Sequence, residues 1–278
     1  MQSTTRQVYF LSNGTAITAE TLGLSLLAQF PSHQFQTRTI PFVDSIEKAN
    51  AVTEEIDRNI DAAGQLPIVI CTMSDSELKQ IIQNSKALVI DPFGDFLPRL
   101  EKVLAAQHHE PGQSHRTVNP SIYESRIDAI DYTMIHDDGG KTKNYDQADI
   151  ILVGVSRSGK TPSCLYLALQ FGIKAANYPI TEEDMESDQL PEPIRPFKNN
   201  LYGLTTDLNR LVSIRQERRP DSRYSSQEQC RYELRAVESM YQRHKIKFIN
   251  TSRMSVEEIS ARIIRDTGLH RMEISKRY

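Results

Sequence analysis

The chain has little of what several specialised protein classes require. Its three cysteines, Cys71, Cys164 and Cys230, are scattered and odd in number. That excludes a disulfide framework or a cysteine-built metal site with its usual spacing, and a reducing, cytoplasmic setting is expected. No apolar run approaches the roughly 20 residues of a membrane span. Residues 1–7 lead straight into strand-like sequence and are too short for a secretory signal. An excess of one charge is also missing. The net charge of −3 offers no general attraction to nucleic acid or to an acidic membrane. There is no internal repeat or low-complexity segment. What remains, 38% hydrophobic and 25% charged residues, is the balance of a globular protein with a buried core. A length of 278 residues has room for one large domain or two of ordinary size.

One stretch organises the rest. An apolar run from Ile150 to Val153 leads into Gly154, Val155, Ser156, Arg157, Ser158, Gly159, Lys160 and Thr161, and Pro162 then opens a helical pattern. Strand, glycine loop ending in Gly-Lys-Thr, and helix form the context that a phosphate-binding loop requires. Gly154 and Gly159 allow successive N–H groups to turn toward one anion. The helix N-terminus adds unpaired donors and its dipole. Lys160 is expected to face solvent and bring its charge to the terminal phosphates, while the Thr161 hydroxyl suits Mg²⁺. Pro162 fits the first helical turn, where no N–H is needed from it. All eight loop residues are therefore candidate nucleotide ligands.

Strand and helix patterns alternate from the start, which predicts parallel α/β layers. Strands are expected at 8–11, 35–43, 67–72 and 87–91. Helices are expected from Ile17, with Leu22, Leu24 and Leu27 on its apolar side, at 46–63 closed by Gly64, at 74–85 with Ser74 as N-cap, and at 93–106. Residues 107–116 are polar, contain a Pro-Gly turn and read as loop, so a linker at 107–120 separates an N-terminal α/β domain (1–106) from a P-loop kinase-like α/β domain (121–278). In the second domain a helix is expected over 121–135 with Ile127, Ile130, Met134 and Ile135 on its apolar side. Further strands are expected at 175–180, 201–204 and 247–250. Residues 181–189 read as an acidic loop. Helices follow at 208–219, 227–244 and 255–267, the last with a Ser255/Glu258 capping box.

Between the 121–135 helix and the phosphate loop lie His136, Asp137, Asp138, Gly139 and Gly140. Asp-Asp-Gly-Gly is ordinary turn chemistry. Two adjacent carboxylates just before a phosphate loop are also the best candidates for catalytic acids: one to hold Mg²⁺, one to take a proton from an attacking hydroxyl. Downstream, Arg215, Arg218, Arg219 and Arg223 either offset a helix dipole or close over phosphate.

Several stretches together resemble the regulatory proteins of pyruvate, phosphate dikinase and phosphoenolpyruvate synthase (pyruvate, water dikinase), most closely the bacterial phosphoenolpyruvate synthase branch. They are Ser12 to Glu20, His136 to Gly139, Gly154 to Pro162, Ala175 to Pro179, and Asn250 to Ser252 with Ser255 to Ile259, in the family's order along the chain. The resemblance implies a bifunctional enzyme with a dikinase as its protein substrate. It phosphorylates a target threonine with ADP, and it reverses this with inorganic phosphate, releasing pyrophosphate. The N-terminal motif departs from the family at Asn13, where Asp is usual, and an amide serves neither as a base nor as a charged ligand. Two other readings of the residues are an ATP-dependent small-molecule kinase and a nucleotide-sensing module without chemistry. Oligomeric state is left open.

Overall fold

The computed structural model describes residues 5–60, 65–108, 120–187 and 189–269, with backbone alone at 120–122. The chain divides into two compact units, Met1–Arg116 and Thr117–Tyr278. Each is an α/β domain built on a four-stranded, all-parallel sheet. The expected linker falls largely on 109–119, outside the described residues, as does Gly64.

In the first unit the strands are β1 (Arg6–Leu11), β2 (Phe35–Ile40), β3 (Ile68–Cys71) and β4 (Leu88–Ile90), in the order β2-β1-β3-β4. The helices are α1 (Ile17–Leu27), α2 (Ile46–Arg58), α3 (Ser76–Gln83) and α4 (Pro92–Leu104). Alternation along the strands sends Tyr9, Leu11, Val69 and Cys71 into a core with Ala49, Val52 and Ile56 of α2 and Leu78 and Ile82 of α3. Val8, Phe10 and Ile70 face the other way and meet Ala19 of α1.

Four expectations change here. Helix α1 buries Ala19 and Gly23 rather than its large side chains, and Ile17 is 64% exposed. The reason is close approach: a Cβ on Gly23 would sit 2.2 Å from the Phe10 ring, so the small residues face the sheet. The N-cap of α3 is Asp75, whose carboxylate accepts from the N–H groups of Glu77 and Leu78, which leaves Ser74 to bond Asn13. Strand β2 ends at Ile40, and α2 ends at Arg58 with Asn59 as C-cap.

The second unit contains β5 (Ile150–Gly154), β6 (Ala175–Pro179), β7 (Leu201–Thr205) and β8 (Lys247–Asn250), in the order β6-β5-β7-β8. Its helices are α5 (Pro120–Ile135), α6 (Lys160–Phe171), α7 (Glu182–Met185), α8 (Leu208–Arg218), α9 (Gln227–His244) and α10 (Val256–Thr267). Every residue of β5 is buried, as a central parallel strand with both faces covered requires. Ile151 and Val153 join Leu234, Val237 and Tyr241 of α9. Ile150 and Leu152 join Cys164 and Leu167 of α6 and Ile259 and Ile263 of α10. The Ser255/Glu258 capping box is formed.

Two helices differ from their sequence pattern. Helix α5 buries Ala129, Tyr132 and Thr133, while Met134 and Ile135 are exposed. The acidic segment is no simple loop: Thr181 and Asp184 form a capping box that starts α7.

Candidate active site

The site lies at the C-terminal end of β5, where the chain leaves to β6 on one side and β7 on the other. This reversal of strand order opens a crevice in α/β sheets. Gly154 is required there by space, because a Cβ would come within 2.5 Å of the Leu204 carbonyl oxygen. Gly159 is required by conformation: it is the N-cap of α6 at φ +96°, with open space around it. Arg157, between them, holds φ +76° with a full side chain.

The loop is held from below by side chains far away in sequence. Tyr241 donates its hydroxyl to the Val153 carbonyl at 2.9 Å, and Thr251 donates to the Ser158 carbonyl at 3.0 Å. Arg215 donates to the Ser156 carbonyl at 3.1 Å. The Ser156 hydroxyl meets the Tyr224 hydroxyl at 2.9 Å. Arg215 is fully buried, ion-paired with Glu233 at 2.6 Å and stacked over the Tyr224 ring. It braces the loop from inside rather than closing over a ligand.

Lys160 is not solvent-facing. It is 4% exposed, and its Nζ donates to the carbonyls of Gly154 and Val155, each at 2.9 Å. Burial lowers its pKa to about 8, opposed by the nearby carboxylates of Asp138 and Asp137. The flexible stem lets the ammonium fold back onto the loop, where the Gly154 carbonyl also accepts from the Ile180 N–H and the Val155 carbonyl from the Ser158 N–H.

The acidic arm comes from the end of α5. Buried His136 places its ring nitrogens 2.7 Å from the Tyr132 carbonyl and 2.9 Å from the Lys143 carbonyl, anchoring the turn. Asp137 Oδ1 accepts from the Thr161 hydroxyl at 2.9 Å and from Asn177 Nδ2 at 2.6 Å. Asp138 sits at φ +51°, is exposed, and has a longer bond of 3.3 Å from the same amide. The two carboxylates therefore stand in different environments. Asp137 is turned toward Thr161, and Asp138 lines the open cavity.

That cavity, about 230 Å³, is walled by Asp138, Ser156, Arg157, Gly159, Lys160, Thr161, Pro162 and Arg218. The structure thus brings the acidic turn and the phosphate loop together across a sequence gap of 24 residues between Asp137 and Thr161. Of the downstream arginines, Arg218 reaches the cavity and Arg223 pairs with Glu182 of α7 at 3.0 Å.

Sequence reasoning did not assign Asn177 a role. It is 1% exposed in β6, its backbone N–H donates to the His136 carbonyl, and its amide touches Asp137, Asp138 and Thr161. Its neighbours are acceptors, which settles the orientation of the amide. The available signal was a lone amide inside the apolar run of a buried strand.

Thr161 and Asp137 form an oxygen-only donor pair of the kind a hard divalent cation takes together with phosphate oxygens. Among the described residues there is no cluster of three or more His, Cys, Asp or Glu that would hold a metal alone. The N-terminal motif is tied up structurally. Ser12 donates to the Thr72 carbonyl and accepts from the Gly14 N–H, and Asn13 bonds Ser74.

Comparison with known proteins identifies the family. A family model described as kinase/pyrophosphorylase matches residues 8–264. A protein of Legionella pneumophila (strain Corby) is 51% identical over 267 residues, covering 96% of this chain and 98% of its own length. Proteins of Pseudomonas fluorescens and Hahella chejuensis are 49% and 48% identical over the same length. All three carry the name "Putative phosphoenolpyruvate synthase regulatory protein". Among the described residues no helix is long and apolar enough to cross a membrane. With a phosphate loop, a facing pair of carboxylates and a family match along nearly its whole length, the chain belongs to the kinase/pyrophosphorylase family of phosphotransferases.

Proposed function

We propose that this enzyme regulates phosphoenolpyruvate synthase: it phosphorylates a threonine of that dikinase with ADP to inactivate it, and removes the phosphate with inorganic phosphate to restore activity. The observation that carries the reading is Asp138, an exposed carboxylate on the wall of the cavity formed by the phosphate loop. A nucleotide sensor needs the loop but no such group. The names of the relatives supply the target. The same reading treats 1–106 as a domain of its own, joined by a linker at 107–120 to the catalytic domain from 121.

In this reading the loop from Gly154 to Thr161 binds the phosphates through its N–H groups and the α6 N-terminus, and Lys160 leaves the Gly154 and Val155 carbonyls to meet them. Asp138 takes the proton of the attacking threonine hydroxyl in one direction and returns a proton to the leaving threonine oxygen in the other. Asp137, held by Thr161 and Asn177, orients the Thr161 hydroxyl. Mg²⁺ would be held by Thr161 and Asp137 together with phosphate oxygens, and it would neutralise charge on those oxygens.

The test uses purified protein, phosphoenolpyruvate synthase, and ADP or ATP labelled at the terminal phosphate. Label from ADP on a threonine of the synthase, and pyrophosphate release when phosphate is added to the labelled synthase, are the expected results. Both should fall by about 100-fold or more in Lys160→Ala. Label on a metabolite instead would make the protein a small-molecule kinase. No transfer at all would leave it a nucleotide sensor.

A further inference from the structure

The proposed pair of reactions brings two phosphoryl groups together each time. When threonine attacks ADP, the Oγ–Pβ bond forms, the bond from Pβ to the bridging oxygen breaks, and AMP leaves with the electron pair. When inorganic phosphate attacks phosphothreonine, a new P–O–P bond forms, the P–Oγ bond breaks, and Oγ takes up a proton. Pyrophosphate is the diphosphate of ADP without its adenosine. One phosphate is therefore stationary in both directions (the α-phosphate of ADP, or inorganic phosphate), and one is in transit.

Charge decides what the transit position needs. A phosphoryl group there passes beside Asp138, which repels it, and Lys160, on leaving the Gly154 and Val155 carbonyls, brings a single positive charge to two phosphates. Two other cations line the cavity, Arg157 and Arg218. Both are exposed, and neither forms an ion pair among the described residues. Their neighbours are committed elsewhere: Arg215 to Glu233 and Arg223 to Glu182. Arg157 projects from the loop at φ +76°, a backbone conformation unfavourable for a side chain of its size. Arg218 stands in the last turn of α8, three residues after Arg215, which ties that helix to the Ser156 carbonyl. Both guanidinium groups thus rise from roots fixed to the phosphate loop.

Building on the function proposed above, we infer that Arg157 and Arg218 form the subsite for the phosphoryl group in transit. They hold the β-phosphate of ADP in one direction and the phosphate of phosphothreonine in the other, while the loop N–H groups and Lys160 hold the stationary phosphate. Guanidinium suits this work because its planar fork binds two phosphate oxygens at once and keeps its charge at any physiological pH.

The test measures AMP, ADP and pyrophosphate binding, and both reaction rates, in the full-length protein with Arg218→Gln, Arg157→Asn and the control Arg219→Gln. Asn tolerates positive φ, and Arg219 shares the end of α8 but does not line the cavity. AMP affinity should stay within about twofold, ADP and pyrophosphate affinity should fall about tenfold, and both rates should fall together by about 100-fold, with the control unchanged. Equal loss of AMP and ADP affinity would place the arginines on the stationary phosphate and overturn the inference. So would rates and ADP affinity at the wild-type level, or loss of synthase phosphorylation with ADP and pyrophosphate binding intact. If Arg157→Asn fails to fold, Arg218→Gln, on a regular exposed helical turn, decides alone. Wild-type protein inactive on the synthase in both directions would refute the proposed function, whereas active wild type with equally active variants would refute only the subsite.

Discussion

The two units are built on the same strand order. In each, the first strand in sequence lies second in the sheet, the second strand flanks it, and the third and fourth extend the other edge. Both chains therefore turn at the C-terminal end of a central strand, after Leu11 in one unit and after Gly154 in the other. The turns have different chemistry. After β1, Ser12, Asn13 and Ser74 satisfy one another and the local backbone. After β5, a loop with two required glycines presents N–H groups, a lysine and a threonine opposite two carboxylates. The topology places a strand-to-helix turn at the same point in both units, and it is the residues after β5 that we propose as the phosphate site.

The largest effect that sharpens this contrast is expected from the buried brace. Arg215→Ala leaves Glu233 charged and unpaired and frees the Ser156 carbonyl, and should lower the unfolding free energy by about 3–5 kcal/mol. Denaturant titration checks it, and loss under 1 kcal/mol would mean that the loop does not depend on α8 and α9. Next comes the difference between the carboxylates. Asp138→Asn should reduce turnover about 100-fold with ADP affinity retained, while Asp137→Asn should chiefly raise the Mg²⁺ concentration needed. Equal profiles for the two would remove the distinction between them.

Asn177→Leu replaces an amide of similar size and leaves Asp137 with the Thr161 hydroxyl alone. Turnover should fall about tenfold, or about 1.4 kcal/mol, near the lower end of the roughly 1.5–3 kcal/mol of one hydrogen bond to a charged group, with KM for ADP little changed. A change in KM alone would make Asn177 part of the nucleotide contact instead. The smallest effect belongs to the first unit. Asn13→Asp puts a carboxylate in that turn, yet should leave both rates within twofold and stability within about 1 kcal/mol, since the Asn13 amide bonds Ser74 at the turn of its own unit. A marked gain in rate would give the N-terminal turn a part in the chemistry and break the comparison.

Local pattern was enough for much of this protein. The strands of both sheets, the glycine loop ending in Lys160 and Thr161, the Asp137–Asp138 turn and the Ser255/Glu258 cap can all be read along the chain, because each depends on residues a few positions apart. Tertiary structure decided what those residues do. Lys160 folds inward because the carbonyls it meets belong to the curled loop itself. Arg215 is buried because Glu233 and Ser156, distant in sequence, converge on it. Asn177 enters the site because β6 lies beside β5 and brings its amide under the acidic turn. Asp137 and Asp138 are equivalent as letters, and they separate only when one meets Thr161 and the other is left facing the cavity. Helix α1 reads as amphipathic, yet it buries Ala19 and Gly23, because the sheet's Phe10 leaves space there only for small residues. Spacing along a chain sets which face a side chain can occupy; what it meets there depends on elements packed from far along the chain.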